Sequence, residues 1–451
     1  MEINLTLYSI RELYSKGIIS PQDLINECFE RIEKVSKNAI WISVKDKKET
    51  IERAKEISSL PKESKPLWGI PFSVKDNIDV SGLSTTAACP KYSYKPKESA
   101  PIVKRLEEAG AICIGKTNLD QFATGLNGTR SPYGICTSAY NDEFISGGSS
   151  SGSALSVANK QVCFSLGTDT GGSGRIPAAL NNIVGFKPTK GSLSTKGFVP
   201  CCPSLDCPSI FALSVDDALE IAKVAFENSV KDESIRDDFK KADFNFYEIQ
   251  KEIVIKVPQE NQRQFFGNYE GQKLYEKVLD KLERNGVKIS TIDFSPFLEA
   301  GRMLFDGPWV AERYLSLIDF IQKYPNDVFE TTLEIIKSGE KWSGKDVFNA
   351  QRRANEIKFE LNKEIGINQY LVTPTVAFLC KVSELKKDPI NLNSKLGYYS
   401  YFANILDLSA ISIPIGFYQN GMPFGVTVFG QAFEDSKVAS IGNKIIEKLS
   451  I

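Results

Sequence analysis

Two turns rich in glycine and serine carry the residue types most suited to chemistry in this chain. They read SGGSSSGS at residues 146–153 and GTDTGGSGR at residues 167–175. A serine that ends a Thr-Gly-Gly turn has several peptide N–H groups converging near its hydroxyl. Such donors can hold the negative charge that develops on an attacked carbonyl oxygen, and glycines allow the curvature without a Cβ clash. Ser173 is therefore a candidate nucleophile. Thr170, Gly171 and Gly172, with its own amide, are the candidate oxyanion donors. The competing reading is a pair of flexible loops. Against it, both turns lie between apolar elements, and the second follows an apolar strand, where glycine lets backbone approach a ligand closely.

The chain contains no histidine. A Ser-His-Asp triad, a histidine base and a histidine metal site are all excluded. Activation of a serine must fall to another group. Lysine serves as a base when burial keeps it neutral. Bringing its pKa near 7 takes about 3 to 4 units, or about 4–5 kcal/mol. Lys75, in GIPFSVKDNIDV, has apolar flanks that suit burial. The same surroundings suit a structural ion-pair partner, and the residues alone leave both readings open.

Three other motifs fail, the first on its context and the other two on missing partners. GAICIGKT at residues 110–117 has phosphate-loop spacing, but its middle residues form a small apolar strand and not a flexible turn. GSSSG at residues 148–152 would make Ser150 the nucleophile of an elbow that needs a histidine. Asp169-Thr170-Gly171 lacks the second such carboxylate that an aspartic protease requires.

The elements around these residues alternate. Residues 1–60 read as helices, chiefly 7–16 and 22–37. A β-type run then carries Lys75, a helix spans 100–109, and AICIG and VCFSLGTD read as strands. A helix near 153–159 lies between the two turns. Residues 225–300 are more charged, with one strand near 253–257, and could form an inserted lobe. Residues 305–365 are helical. QYLVTPT, LSAISIPIG and MPFGVTVFG close the chain as strands. This order predicts an α/β fold with one large twisted mixed sheet covered by helices on both faces.

Charge is balanced, with 55 basic and 56 acidic residues, so neither nucleic acid nor an anionic membrane is the expected partner. A small molecule is the better default. No long apolar run predicts a membrane span. Nine cysteines without paired spacing point to reduced thiols in the cytoplasm and to no zinc site.

The block GGSSSGSA…SLGTDTGGSGRIPAALNNIVGFKPT resembles the amidase-signature family, and the likeness runs from about residue 5 to residue 448. It implies the amidase-signature fold and a Ser-cisSer-Lys triad that needs no cofactor. Lys75 would be the neutral base, Ser149 the proton relay after a cis peptide, and Ser173 the nucleophile that forms an acyl-enzyme. Asp169 and Arg175 would fix the loops. Within the family the likeness is strongest to the amidase domain of allophanate hydrolases, carried by DQFATGLNGTRSPYG, GPWVAERY and DPINLNSKLGYYSYFANILDLSAISIPIGF. That implies hydrolysis of allophanate with release of ammonia. Arg313 would bind the substrate carboxylate and Gly125 would lend backbone contacts; Arg313 also reads as an exposed helix residue. Allophanate hydrolases have tyrosine where this chain has Phe305. The lost hydroxyl removes a hydrogen bond to a charged group, about 1.5–3 kcal/mol, and so opens the way to another small or aryl amide. A glutaminase-type component of an amidotransferase complex is the further alternative. The resemblance also leads one to expect no C-terminal accessory domain in this chain, so that the next step is absent, spontaneous or supplied by a separate enzyme. It leaves a homodimer open.

Overall fold

The computed structural model describes residues 3–34, 38–226, 231–249, 252–366 and 368–449. Eleven strands form one mixed sheet. In chain order they are β1 (Trp41–Val44), β2 (Pro71–Lys75), β3 (Ile112–Thr117), β4 (Phe164–Thr168), β5 (Val184–Lys187) and β6 (Pro208–Ala212). They continue with β7 (Val254–Pro258), β8 (Lys288–Ile292), β9 (Gln369–Pro374), β10 (Ser409–Phe417) and β11 (Pro423–Gly430). Across the sheet the order is β1-β3-β2-β4-β6-β5-β10-β11-β9-β7-β8. β2 lies parallel between β3 and β4, whereas β4 runs antiparallel to β6.

Successive side chains of a strand point to opposite faces, and both faces are covered. Cys113 of β3 joins the larger core, with Phe72 and Phe164, while Ile112 and Ile114 face a second cluster. Helices α1 (Leu7–Ser15), α2 (Pro21–Lys34), α3 (Lys47–Ser58), α4 (Pro101–Glu108) and α5 (Ser151–Ala158) precede or interrupt the first strands. α2, α3 and α5 contribute Ile25, Phe29, Ala54, Ala154 and Val157 to the second cluster. α6 (Arg175–Ala179), α7 (Val215–Phe226), α8 (Tyr269–Arg284), α9 (Ser295–Phe305) and α10 (Trp309–Lys323) follow. α7 and α8 pack on the larger core.

α5 is buried through almost its whole length, so it shows no amphipathic stripe. Hydroxyls fix it instead. Ser73 of β2 hydrogen-bonds Ser165 of β4 at 2.7 Å and Ser156 of α5 at 2.8 Å. Ser153 of α5 meets Thr117 of β3 at 2.8 Å and donates to the Leu166 carbonyl at 3.0 Å. These pairings satisfy polar groups that would otherwise destabilise the interior.

The first 60 residues are not all helical. β1 adds antiparallel to β3 at the edge. Its four half-buried residues are too few to show a period. The end of the predicted 22–37 helix, residues 35–37, lies outside the described residues. The charged 225–300 stretch enters the common sheet: β7 pairs parallel with both β8 and β9. The strand expected near 253–257 is β7, and β8 was not foreseen because its exposed Lys288 and half-buried neighbours hide the alternation.

Phe72 and Phe164 stack at 5.0 Å between neighbouring strands and are fully buried. Phe164→Ala is expected to cost about 3–5 kcal/mol. Urea unfolding measures it; an unchanged midpoint would show that this pair does not anchor the sheet.

Candidate active site

The site forms at the carboxyl ends of β2 and β4, where open α/β sheets commonly bind ligands. Lys75 is the last residue of β2 and Thr168 the last of β4. Ser149 lies just ahead of α5, and the Thr170-Gly171-Gly172-Ser173 turn runs from β4 toward α6.

Lys75 is completely buried. Its Nζ donates to Ser149 Oγ at 2.8 Å and to Thr168 Oγ1 at 2.6 Å. One amine thus ties the first turn to the strand that feeds the second. Burial pushes its pKa down to about 8, against the pull of Cys201, Asp120, Asp206 and Asp169. The structural ion pair belongs to its neighbour. Asp76 points to the other side of the strand and meets Lys116 Nζ at 3.1 Å, both side chains fully buried. Lys116 is the lysine of the phosphate-loop look-alike, and it sits in β3 as a buried strand residue.

The peptide between Gly148 and Ser149 is cis. Ser150, the would-be elbow nucleophile, is a staple: its Oγ donates to the Thr168 carbonyl at 3.0 Å and accepts from the Thr168 N–H at 3.2 Å.

Asp169 shapes the second turn. It accepts the N–H groups of Gly172, Gly174 and Arg175 at 2.6, 3.1 and 3.2 Å. The Arg175 guanidinium grips it with Nε at 2.8 Å and Nη2 at 2.9 Å. Burial is the largest single influence and works against its charge, but Arg175, Lys187 and the Gly172 N–H together hold the carboxyl below its ordinary range. Gly172 has φ +132°, a conformation that favours glycine. Ser173, 5% exposed, ends this turn. One expectation changes here. The Gly172 N–H is already committed to Asp169 and is not a free oxyanion donor, which leaves the amides of Thr170, Gly171 and Ser173 as candidates.

Arg313, on α10, is only 2% exposed, so the reading as an exposed helix residue is overturned. Its Nε and Nη1 have no hydrogen-bond partner among the described residues. The guanidinium lies 5.0 Å from the centre of the Phe305 ring, and Phe305 packs on Tyr401 at 4.2 Å. A Cβ on Gly171 would fall 3.2 Å from the Tyr401 ring and 3.6 Å from Phe305. Phe305 therefore borders the Thr170–Ser173 turn, with the Arg313 guanidinium over its ring. Burial raises the pKa of the Cys201 thiol, and Arg313 and Lys75 both act against that rise. Gly125 sits against the Asp120 carboxylate.

Sequence reasoning missed Thr168 and Asp206. Asp206 accepts Thr170 Oγ1 at 2.6 Å and the Cys201 N–H at 2.8 Å, so it braces the oxyanion turn from behind. Burial raises its pKa. Nothing in the local pattern of CCPSLDCPS signals that role. A surface cleft of about 1010 Å³ is lined by residues such as Lys65, Tyr94 and Lys104 and by none of Lys75, Ser149 or Ser173.

Known proteins resemble this chain along most of its length. The model of the Amidase family matches residues 23–439. The chain is 39% identical over 417 residues to the urea amidolyase of Saccharomyces cerevisiae, covering 91% of this chain and 22% of that protein. It spans about a fifth of the length of such relatives. It is 31% identical over 480 residues to one component of the glutamyl-tRNA(Gln) amidotransferase of Lawsonia intracellularis, covering 98% of this chain and 96% of the other. Among solved structures, the Kluyveromyces lactis allophanate hydrolase superposes with a TM-score of 0.91 at 38% identity, over 98% of this chain and 72% of that one. The family match along most of the chain, the shared fold and the paired serine turns around a buried lysine lead to one assignment: the chain belongs to the amidase family.

Proposed function

We propose that the chain hydrolyses a small carboxylated amide, allophanate, through an acyl-enzyme on Ser173. The observation that carries the chemistry is Lys75 Nζ, buried and 2.8 Å from Ser149 Oγ, in a protein without imidazole. Neutral Lys75 accepts the Ser149 proton while Ser149 accepts that of Ser173. Ser173 Oγ bonds to the carbonyl carbon, and the amides of Thr170, Gly171 and Ser173 receive the oxyanion. The C–N bond then breaks as the Ser149–Lys75 pair returns a proton to the leaving nitrogen, releasing ammonia. Water attacks the acyl-enzyme by the same relay and frees a carboxylated carbamate and Ser173.

For the substrate, support comes from Arg313. A buried guanidinium with two unpartnered nitrogens is costly unless an anion completes it. A carboxylate fits its planar fork. The likeness to allophanate hydrolase and urea amidolyase favours the same substrate, and so a place in urea breakdown. Nine buried free cysteines favour a reducing, cytoplasmic setting. A second reading, another small or aryl amide, is favoured by Phe305, which has no hydroxyl to offer a carboxylate. The amidotransferase relatives favour a third, ammonia supply within a complex.

Ser173→Ala is expected to lower kcat at least about 10⁴-fold, read as ammonia released from allophanate. Retained turnover would exclude Ser173 as nucleophile. Because the base must be uncharged, kcat/KM should fall as pH drops below about 8, where Lys75 takes up a proton. A flat profile from about pH 6 to 9 would contradict a lysine base. Arg313→Ala should reduce kcat/KM for allophanate about 100-fold and leave a neutral amide such as propionamide nearly untouched. Equal losses on both would remove Arg313 from carboxylate recognition.

A further inference from the structure

The first serine turn has an organiser that the triad does not include. Asp120 follows β3 in TNLDQFATGLNG and is completely buried. Its peptide N–H donates to the Ser149 carbonyl at 3.1 Å. Its carboxylate gathers three more N–H groups: Oδ2 accepts from Asn127 at 3.1 Å and Gly128 at 3.0 Å, and Oδ1 accepts from Arg130 at 3.0 Å.

The packing around it is close. A Cβ on Gly148 would overlap Asp120 Oδ2 and come within 2.7 Å of the Gly128 nitrogen. A Cβ on Gly125 would stand 2.6 Å from the same oxygen. The carboxylate is therefore wedged between the residue before Ser149 and the 125–130 loop. That loop is fixed at its far side, where the Arg130 guanidinium donates to the Thr124 carbonyl at 3.0 Å and the Pro389 carbonyl at 2.6 Å. Asp169 gathers three N–H groups in the same way around the Ser173 turn.

We propose that Asp120 is the positioning residue for Ser149, setting from the main-chain side the hydroxyl that Lys75 holds from the side-chain side. The proposal rests on the Lys75–Ser149–Ser173 reading. Asp120 touches neither substrate nor reacting atoms; it acts through Ser149. Its two oxygens are both acceptors. An asparagine must turn an NH₂ toward at least one of the N–H donors, because its amide has a single oxygen.

The test reads covalent labelling of Ser173 by a small fluorophosphonate, mapped by mass, in the purified chain. Asp120→Asn is expected to slow labelling about 100-fold, the scale of a misplaced reacting group. In a Ser149→Ala background the same change should add less than about 3-fold, because coupled residues are not additive. A full loss of about 100-fold in both backgrounds, or no loss in the first, would overturn the proposal. Should Asp120→Asn fail to fold by its melting transition, Asp120→Glu keeps both acceptors but displaces them by one methylene, and the same non-additivity is expected. Wild-type protein that is not labelled at Ser173 would sink the triad reading itself, a different result from any of these.

Discussion

A primary amine held out of water is the constraint on which this site depends. An ammonium at Lys75 would be disfavoured by complete burial, and the fall of its pKa to about 8 follows from that burial. Its two hydrogen-bond partners are neutral hydroxyls, Ser149 and Thr168. A carboxylate at hydrogen-bond distance would favour the charged form and end its use as a base. The carboxylate next in the chain, Asp76, is engaged by Lys116 instead. Asp120, Asp169 and Asp206 still act on the amine from further away. Each is engaged by N–H or hydroxyl donors that draw its charge toward the backbone of a turn.

Those same carboxylates let glycine-rich turns hold a geometry. Glycine gives the backbone freedom to approach closely but loses more entropy on ordering than any other residue. The first turn is stapled to Thr168 by Ser150, and the second is gathered by Asp169 with Arg175. Thr168 belongs to both sets, since Lys75 binds its hydroxyl and Ser150 its main chain. Lys75, Ser149 and the Ser173 turn are thus fastened at the end of one strand pair, on rigid elements that preserve their spacing.

Much of this is legible in the residues. The missing histidine excludes most alternatives, and the apolar flanks of Lys75 foretell its burial. GAICIGKT reads as a strand because its middle residues cannot form a phosphate-wrapping turn. Periodicity fails where elements are short or uniformly buried. β1 has four residues, and α5 has no polar face. Long-range pairings are out of reach as well. Asp206 lies 36 residues from Thr170, and nothing in either local pattern announces the bond between them. The commitment of the Gly172 amide to Asp169 is equally hidden, since it depends on the direction of a single N–H.

Under the proposed function, Phe305 would change how Arg313 meets a carboxylate without removing that contact. Two of its nitrogens are buried and unpaired, so the guanidinium carries an electrostatic cost that a bound carboxylate would relieve. A tyrosine at position 305 could offer that carboxylate a hydroxyl. Phe305 offers only a ring, and the guanidinium lies over it at 5.0 Å. A cation–π contact of this kind is worth about 0.5–2 kcal/mol depending on exposure. It steadies the guanidinium before substrate arrives but adds no donor to the anion. In the proposed function the carboxylate would rest on the fork of Arg313 itself, beside a ring stack of Phe305 and Tyr401 that borders Gly171. Such a wall suits a flat acyl group conjugated through a planar ureido nitrogen better than a flexible one, because ordering a flat group costs less rotamer entropy.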